Sequence, residues 1–594
     1  MQRPPYLLLF ILLCPGGLLA QLHDNHWLLG YEFTQPPVVG NKFGLTKLSF
    51  YTGSIAIEGP IEDGTDHYLN NASFSDFNGD LIAYTNGLII MSGKHELMSG
   101  GDSLNRTIVA TNQELRYKST NVAIQGCLFL PYPGHPDSVL LFYTGDSYNG
   151  NVGTFNQDLS MAIINTTAEE GAGAVVQKEI PIIVEDTISY GNLTAVKHAN
   201  GRDWWILVQS EKGDYYYPIL SDPLGVHVGE KVFHDLVLEY PGGGAGQAIF
   251  SPDGTLYAIY GGRSISSGTW LHLFDFDRCK GRLNNRRSIF YPPVPNIIPY
   301  GGISFSPNSR FLYHSVIDTL FQYDLQAGDL LATREKVLLR AEQPSGAILR
   351  FFQSQLAPDG KIYFCTTNSG TKLNVIHNPD EKGLSCNAEE GGLQIPTINS
   401  QTVPNHPNYR LGPLDGAPCD TLGLDNLPQA WWRYTQDTLN PAQVAFHDLS
   451  YYEPAAWQWD FGDGTGSTLR HPAHTYTASG VYEVCLTVSN PYGSHTHCKT
   501  IYSVSATQNP AIQASVQAGP NPFGAFLTLT LSTPLAGPRL RVYDLTGRIR
   551  IDAPIAVGIN EFDTRDLAAG VYFWTLSTAQ EGIVKSGKLV RTGG

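Results

Sequence analysis

A strand–turn–strand unit returns along the first part of the chain, and few folds can accommodate such a repeat. Its clearest copies read FSPDGTLYAIY (250–260), FSPNSRFLY (305–313) and LAPDGKIYF (356–364). Looser copies start at Phe74 (FSDFNGDLIAY), Leu130 (LPYPGHPDSVLLFY) and Val196 (VKHANGRDWWILV). Starts at 74, 130, 196, 250, 305 and 356 give intervals of 56, 66, 54, 55 and 51 residues. In each copy one strand enters a Pro-Asp-Gly or Asn-Gly turn and a β-branched or aromatic strand leaves it. A period near ~50 residues, four short strands long, is the size of a propeller blade. Six units are visible. Trp27–Thr34 and Gly44–Ile57 before the first, with Leu373–Cys386 after the last, supply a shared closing blade. The expectation is therefore an N-terminal β-propeller of seven blades over 21–415, with six as the alternative. Closure removes the sheet edges that would template aggregation. Separate sandwiches would leave each ~55-residue unit too small a core to fold alone.

Composition agrees with an all-β chain. Of 594 residues only 15% are charged, against ~25% in ordinary soluble proteins, while Gly (61), Pro (38) and aromatics (11%) are abundant. Long helices need more Ala, Glu, Lys and Leu at helical spacing than this. The net charge is 38 − 54 = −16 with no basic tract, which excludes nucleic acid as the expected partner. A 42% hydrophobic content argues against disorder.

The first twenty residues read as a secretory signal peptide. A basic start precedes an apolar run, Tyr6–Cys14, then a Pro-Gly-Gly break and a small residue, Ala20, before Gln21 at the expected cleavage point. Leu13 stands where a lipoprotein signal at Cys14 would want a small residue. No later segment approaches the ~18 apolar residues of a membrane helix. Seven cysteines follow the signal, none with Cys-x-x-Cys spacing, so zinc and thioredoxin-type sites are not expected. Asn490-Pro-Tyr-Gly493 is a turn centred where the pair Cys485/Cys498 is centred (490 + 493 = 485 + 498), which opposes the two on a hairpin and predicts their disulfide. With seven, at least one cysteine stays unpaired.

Three family resemblances follow from particular words. FNGDLIAYTNG (77–87), LTAVKHANGRDWWIL (193–207), FSPDG (250–254), LFDFD (273–277), FQYDL (321–325) and QLAPDGKIY (355–363) resemble, in order and spacing, exported propeller-like proteins of Bacteroidetes. Val403–Pro428 is Pro-rich and reads as a linker, set at 416–435 once the propeller is given its full length. Beyond it, WDFGDG with Trp457, Trp459, Asp460, Gly462, Asp463 and Gly464, then His474, Tyr476 and GVYEVCLTV (480–488), resembles the PKD domain, an immunoglobulin-like sandwich expected over 436–506. Trp459 is expected to plug its core and Asp460 and Asp463 to fix the turn; calcium at those aspartates is the sharper alternative, and no other cofactor is expected. After a second linker at 507–518, the segment 519–594 is similar to the C-terminal sorting domain of type IX secretion, with GPNPF (519–523), RVYDLTGR (541–548), LAAGVY (567–572) and SGKLVR (586–591) in order. That resemblance implies the type IX machinery as a partner, passage across the outer membrane, and release or attachment at the cell surface.

Searches for catalytic motifs are negative. His95-Glu96 begins a zinc-protease helix, but Ser99 stands where the second histidine belongs. Gly582–Lys588 spells most of a phosphate loop, yet Leu589 replaces the hydroxyl ligand and the segment reads as a strand. Ser147 lacks the flanking glycines of a nucleophile elbow. His495 and His497 face one way on a strand and could bind a metal with His471 or His474, but the polar outer face of a sandwich is the favoured explanation. His23, Asp24 and His26 lie at the new N-terminus, where disorder is the default. The aromatic runs Trp204-Trp205, Tyr215-Tyr216-Tyr217 and Trp431-Trp432 are the candidate binding residues, because adjacent residues on a strand face opposite sides and one of each run should be exposed. The chain so read is a secreted or cell-surface recognition protein binding a glycan, surface polymer or protein, with the PKD sandwich as spacer or accessory binder. A secreted polysaccharide-degrading enzyme is the alternative.

Overall fold

The computed structural model describes residues 22–31, 43–50, 55–104, 123–149, 153–184, 186–189, 191–234, 246–261, 268–294, 300–340, 350–436, 442–503, 516–521, 523–532, 537–544, 548–578 and 582–592. The expected signal peptide, with Cys14, Ala20 and Gln21, lies outside the described residues. The chain is all-β and divides into two units, one ending at Leu427 and one beginning at Pro428.

Seven antiparallel meanders follow one another among the described residues of the first unit. The first sheet holds His26–Tyr31, Gly44–Ser49 and Ala56–Ile61; the second Ala72–Ser75, Leu81–Thr85 and Ile90–Ser92. Four strands make the third, from Cys127–Pro131 to Ala174–Ile183, and the fourth runs from Thr194–Lys197 to Gly225–Val228 with Val232–Phe233 beside it. The fifth spans Gln247–Phe250 to Arg282–Tyr291, the sixth Gly301–Phe305 to Glu335–Leu339, and the seventh Phe351–Leu356 to Ala388–Asn399. Each repeated turn joins the first two strands of a sheet, and in the clearest copies an aspartate or asparagine holds it; Asn308 accepts the Arg310 N–H at 3.0 Å. Asp253 accepts from the Thr255 N–H and hydroxyl at 3.0 and 2.9 Å, and Asp359 from the Lys361 N–H at 3.1 Å.

Among the described residues the sheets share no ladders; isolated backbone bonds, such as Phe351 N–H to the Ile317 carbonyl, and buried side chains join them. The Gln247 amide accepts the Ile303 and Ser354 N–H groups at 3.0 and 3.1 Å and donates to the Ser354 carbonyl at 2.6 Å, tying the fifth, sixth and seventh sheets. Gln125 pairs with both backbone groups of Ala248 at 2.9 and 3.1 Å. Asn405 donates from its side chain to the Cys127 and Leu193 carbonyls, both at 2.9 Å, and from its backbone to Asn71. Strand Ala388–Asn399 packs against all three strands of the first sheet, and Trp27, Leu29 and Leu48 share a core with Tyr363, Leu373, Val375 and Ile395. The first and last sheets are therefore neighbours.

Three expectations change here. Leu373–Cys386 is not shared with the N-terminus: Leu373 belongs to the seventh sheet, Gly383–Cys386 is one turn of 3-10 helix, and residues 26–61 build their own sheet. The supposed linker from Val403 begins as a buried segment. Its Pro404 and Pro407 bring no N–H to satisfy, His406 and Tyr409 bond the Ser73 and Phe129 carbonyls, and Asn408 bonds that of Pro252. Nor are residues 23–26 loose: His23, Asp24 and His26 are buried, His23 bonds the Ser75 carbonyl at 2.6 Å, His26 the Ser49 hydroxyl at 2.8 Å, and Asp24 pairs with Arg410 at 2.6 Å.

In the second unit, strands Trp432–Gln436, Gln443–Asp448 and Ala473–Thr475 form one sheet; Gly466–Ser467, Ala456–Asp460, Gly480–Asn490 and Gly493–Ser503 form another. Trp432, Phe446, Trp459, Phe461, Tyr476, Leu486 and Ile501 fill its core. Because the first strand begins at Trp432, that residue belongs to the sandwich and not to a linker. A further sandwich runs from Val516–Gly519 to Gly582–Arg591, where the phosphate-loop-like stretch is a strand paired to Gly570–Thr578.

Buried histidines of the first unit couple stability to pH. Burial lowers His23, His26, His67 and His406 to about 4 and His314 to about 3, against 6.5 unfolded. Between about 4 and 6.5 the unfolded chain binds more protons at these sites, so their contribution is complete above 6.5 and is lost as pH falls, at about 1.4 kcal/mol per pH unit per group. Asp66, raised by burial to about 7, opposes with one proton. The first unit should melt at progressively lower temperature from pH 6.5 to 4, and His314→Phe should flatten that slope in thermal melts.

Candidate functional site

The aromatic runs divide by strand alternation. Trp204, Tyr216 and Trp432 are core residues, each 1% exposed or less. Trp204 meets Tyr409 edge-on at 5.9 Å, the Tyr216 hydroxyl accepts the Leu283 N–H, and the Trp432 indole donates to the His497 carbonyl. None of the three can reach a ligand, so the expectation of binding at them is corrected. Their neighbours Trp205, Tyr215, Tyr217 and Trp431 are half-exposed.

Two of those neighbours stand on one charged hub. Asp186, ahead of the fourth sheet, accepts the Tyr215 hydroxyl at 2.7 and 2.8 Å, the Tyr217 hydroxyl at 2.5 Å and the Lys231 ammonium at 2.9 Å. Burial disfavours its charge, but those three donors outweigh burial and hold the carboxyl below its usual range. Burial and the facing carboxylate push Tyr215 up to about 12, so it remains a neutral donor. The rings of Tyr215 and Tyr217 stand perpendicular at 5.8 Å, and Lys231 lies 4.3 Å from the Tyr215 centroid. Phe233, 72% exposed, tilts against Tyr215 at 5.4 Å. The polar atoms are spent within the cluster, and what it presents is a fixed corner of aromatic surface. Sequence reading found the tyrosines but missed Asp186, Lys231 and Phe233: one acid among 54 Asp and Glu carries no local signal.

The other two half-exposed rings are less open. Gly281, at φ +65°, lies so close that a Cβ there would sit 2.8 Å from the Trp205 ring, whose indole donates to the Arg278 carbonyl. Trp431 stacks on His497 at 4.6 Å, with Lys499 4.5 Å from its centroid. His495 accepts the Ala430 N–H and His471 that of Asp448, while His474 bonds Asp463 at 2.7 Å. Among the described residues no three His, Cys, Asp or Glu side chains group as metal ligands.

In the WDFGDG turn, Asp460 accepts the Gly462 N–H at 2.9 Å, and Asp463 accepts the Thr465 N–H and hydroxyl at 3.0 and 2.6 Å. The Trp459 indole donates to Leu469, the Tyr476 hydroxyl closes onto the Phe461 carbonyl, and His474 stacks on Phe461 at 4.3 Å. Trp457, two residues before Trp459 on the same strand, packs at the edge of that core with Arg470 over its ring. Cys485 and Cys498 are directly opposed and bonded. Residues 433–504 match the family model for the PKD domain. The chain carries a PKD domain. Its likeness extends to the PKD1 domain of the Vibrio cholerae metalloprotease PrtV, 31% identical over 13% of this chain and 99% of that one (TM-score 0.13). The PKD1 domain of Vibrio anguillarum Epp is 28% identical over 13% and 95% (TM-score 0.12). For a longer stretch, a Lactobacillus plantarum protein is 12% identical over 64% of this chain and 97% of that one (TM-score 0.31).

A second disulfide, Cys279–Cys419, ties the fifth sheet to the segment after the buried plug, while Cys127, Cys365 and Cys386 are buried thiols. The PKD domain and the two disulfides fit an extracellular or cell-surface protein. Among the described residues no helix is long and apolar enough to cross a membrane.

Gly462 tests the PKD turn. At φ +76° its position disfavours any side chain, and a Cβ would fall 2.5 Å from the Glu483 carbonyl. Gly462→Ala should cost the PKD domain about 1–3 kcal/mol in denaturant unfolding, whereas Gly464→Ala, with nothing within 4 Å, should cost less despite its φ of +85°.

Proposed function

We propose that this chain is an exported recognition protein whose first unit is a closed seven-bladed propeller that binds a glycan or surface polymer. The single observation that carries this reading is the rigid aromatic corner of Tyr215, Tyr217 and Phe233. A ring held in place by a charged hydrogen-bonded hub loses little freedom on binding, and its face suits the C–H face of a sugar. Supporting the propeller are the seven consecutive meanders and the packing of the last against the first. The PKD domain acts as spacer or accessory binder. The C-terminal sandwich, by its resemblance, addresses the chain to the type IX secretion machinery and so across the outer membrane after removal of a signal peptide at Ala20.

The test incubates the intact mature protein with a panel of insoluble polysaccharides and envelope fractions, reading protein depletion and released fragments by mass spectrometry. Depletion without fragments is expected. Tyr217→Ala and Phe233→Ala should each weaken it about fivefold to tenfold, the worth of one stacked ring. Fragments that accumulate with time would instead establish a polysaccharide-degrading enzyme. Depletion unchanged in both variants would move the binding face elsewhere.

A further inference from the structure

A second aromatic cluster lies apart from the Asp186 hub, where the first sheet, the link to the second sheet and the segment after the seventh meet. Tyr31 ends the first strand and Phe43 precedes the second; Tyr68 lies in the link; Ser369 and Gln401 come from the seventh sheet and the chain beyond it. The Tyr31 and Tyr68 rings stand at 81° with centroids 5.6 Å apart, and Phe43 lies 5.8 Å from Tyr31 at 62°. The Tyr31 hydroxyl bonds Ser369, and Gln401 donates to the Tyr68 hydroxyl at 2.5 Å, so both rings are held.

Asp66, 7% exposed, lies near enough to act electrostatically on both phenols. One carboxyl oxygen accepts the Tyr68 N–H at 2.9 Å; the other has no hydrogen bond among the described residues, and no Lys, Arg or His there makes an ion pair with the group. The ionisable groups it acts on are phenols, Tyr31 and Tyr68, with Tyr300 acting on Tyr68; on its own segment Glu62 precedes it, Asp63 is engaged by Thr65 and Tyr84, and the buried, neutral His67 interacts with Asp63. A buried carboxylate without a cation is costly, and aromatic rings near it would add cation–π attraction for a positive charge that arrives.

We propose that Asp66, Tyr31, Tyr68 and Phe43 form a binding site for an organic ammonium group. An anion would meet the carboxylate and a neutral ligand would leave it uncompensated, whereas an ammonium pairs with the free carboxyl oxygen and is walled by aromatic rings. Burial holds the empty site's carboxyl up to about 7, so a cation binds against a competing proton below neutrality and without that competition above it.

The test is calorimetric titration of the intact protein with choline and with glucosamine, each against a neutral counterpart: the alcohol bearing a tert-butyl group in place of trimethylammonium, and glucose. At least one ammonium compound should bind about tenfold or more tightly than its counterpart, with affinity rising several-fold from about pH 6 to about pH 8. Choline alone assigns a quaternary ammonium, glucosamine alone a primary amine on a sugar; either result supports the site. Asp66→Asn keeps an acceptor for the Tyr68 N–H and should abolish both the preference and its pH dependence, and Tyr68→Leu should weaken binding at every pH. Equal binding of the neutral compounds, no binding of either ammonium, or a wild-type affinity flat with pH would overturn the proposal.

Discussion

Separate meanders leave backbone groups at the starts of their first strands with no ladder partner in the next sheet, and the first unit meets that need with carboxamides. Gln247, Gln125 and Asn405 reach backbone groups of the second to seventh sheets, offering donor and acceptor from one planar group. A buried amide that lost its partner would cost about 1–3 kcal/mol and would strand the groups it serves as well. Asn405 sits beyond the last strand, so the unit needs the chain that follows its seventh sheet. The same segment seats the N-terminus through Arg410 and Asp24.

That dependence explains what the sequence could and could not disclose. Six of the sheets were legible because each repeats a turn whose side chains have a local job, as Asp253, Asn308 and Asp359 show. Residues 403–411 looked like a linker because proline and asparagine mark loops, yet here they satisfy neighbours far apart in sequence. Composition rules describe the usual loop at the surface, not one whose amide is required inside. The Cys485–Cys498 bond was legible for the same local reason, a hairpin turn centred between the two, while Cys279 and Cys419 are 140 residues apart and no spacing connects them.

Site residues follow the same division. Strand alternation said that one member of each aromatic run would be exposed but not which; Trp204, Tyr216 and Trp432 are the buried ones. It could not tell which partner would be covered from the side, as Gly281 covers Trp205, or which would be mounted on a distant acid, as Asp186 mounts Tyr215 and Tyr217. The PKD motif was legible in full because its parts are neighbours: Asp460 and Asp463 bond within their own turn, and Tyr476 closes onto Phe461 nearby. Those bonds give the aspartates a structural task in the turn.

The most direct measurement compares two truncations of the first unit, one ending at Leu427 and one at Ile398, by hydrogen–deuterium exchange of the strands that begin at Cys127, Thr194 and Gln247. If the segment carrying Asn405 is an integral part of the unit, the shorter chain should lose protection in all three strands together and melt without a single cooperative transition. Equal protection and an equal melting transition in the two chains would mean that residues 399–427 are a linker after all, and that the sheets hold one another without them.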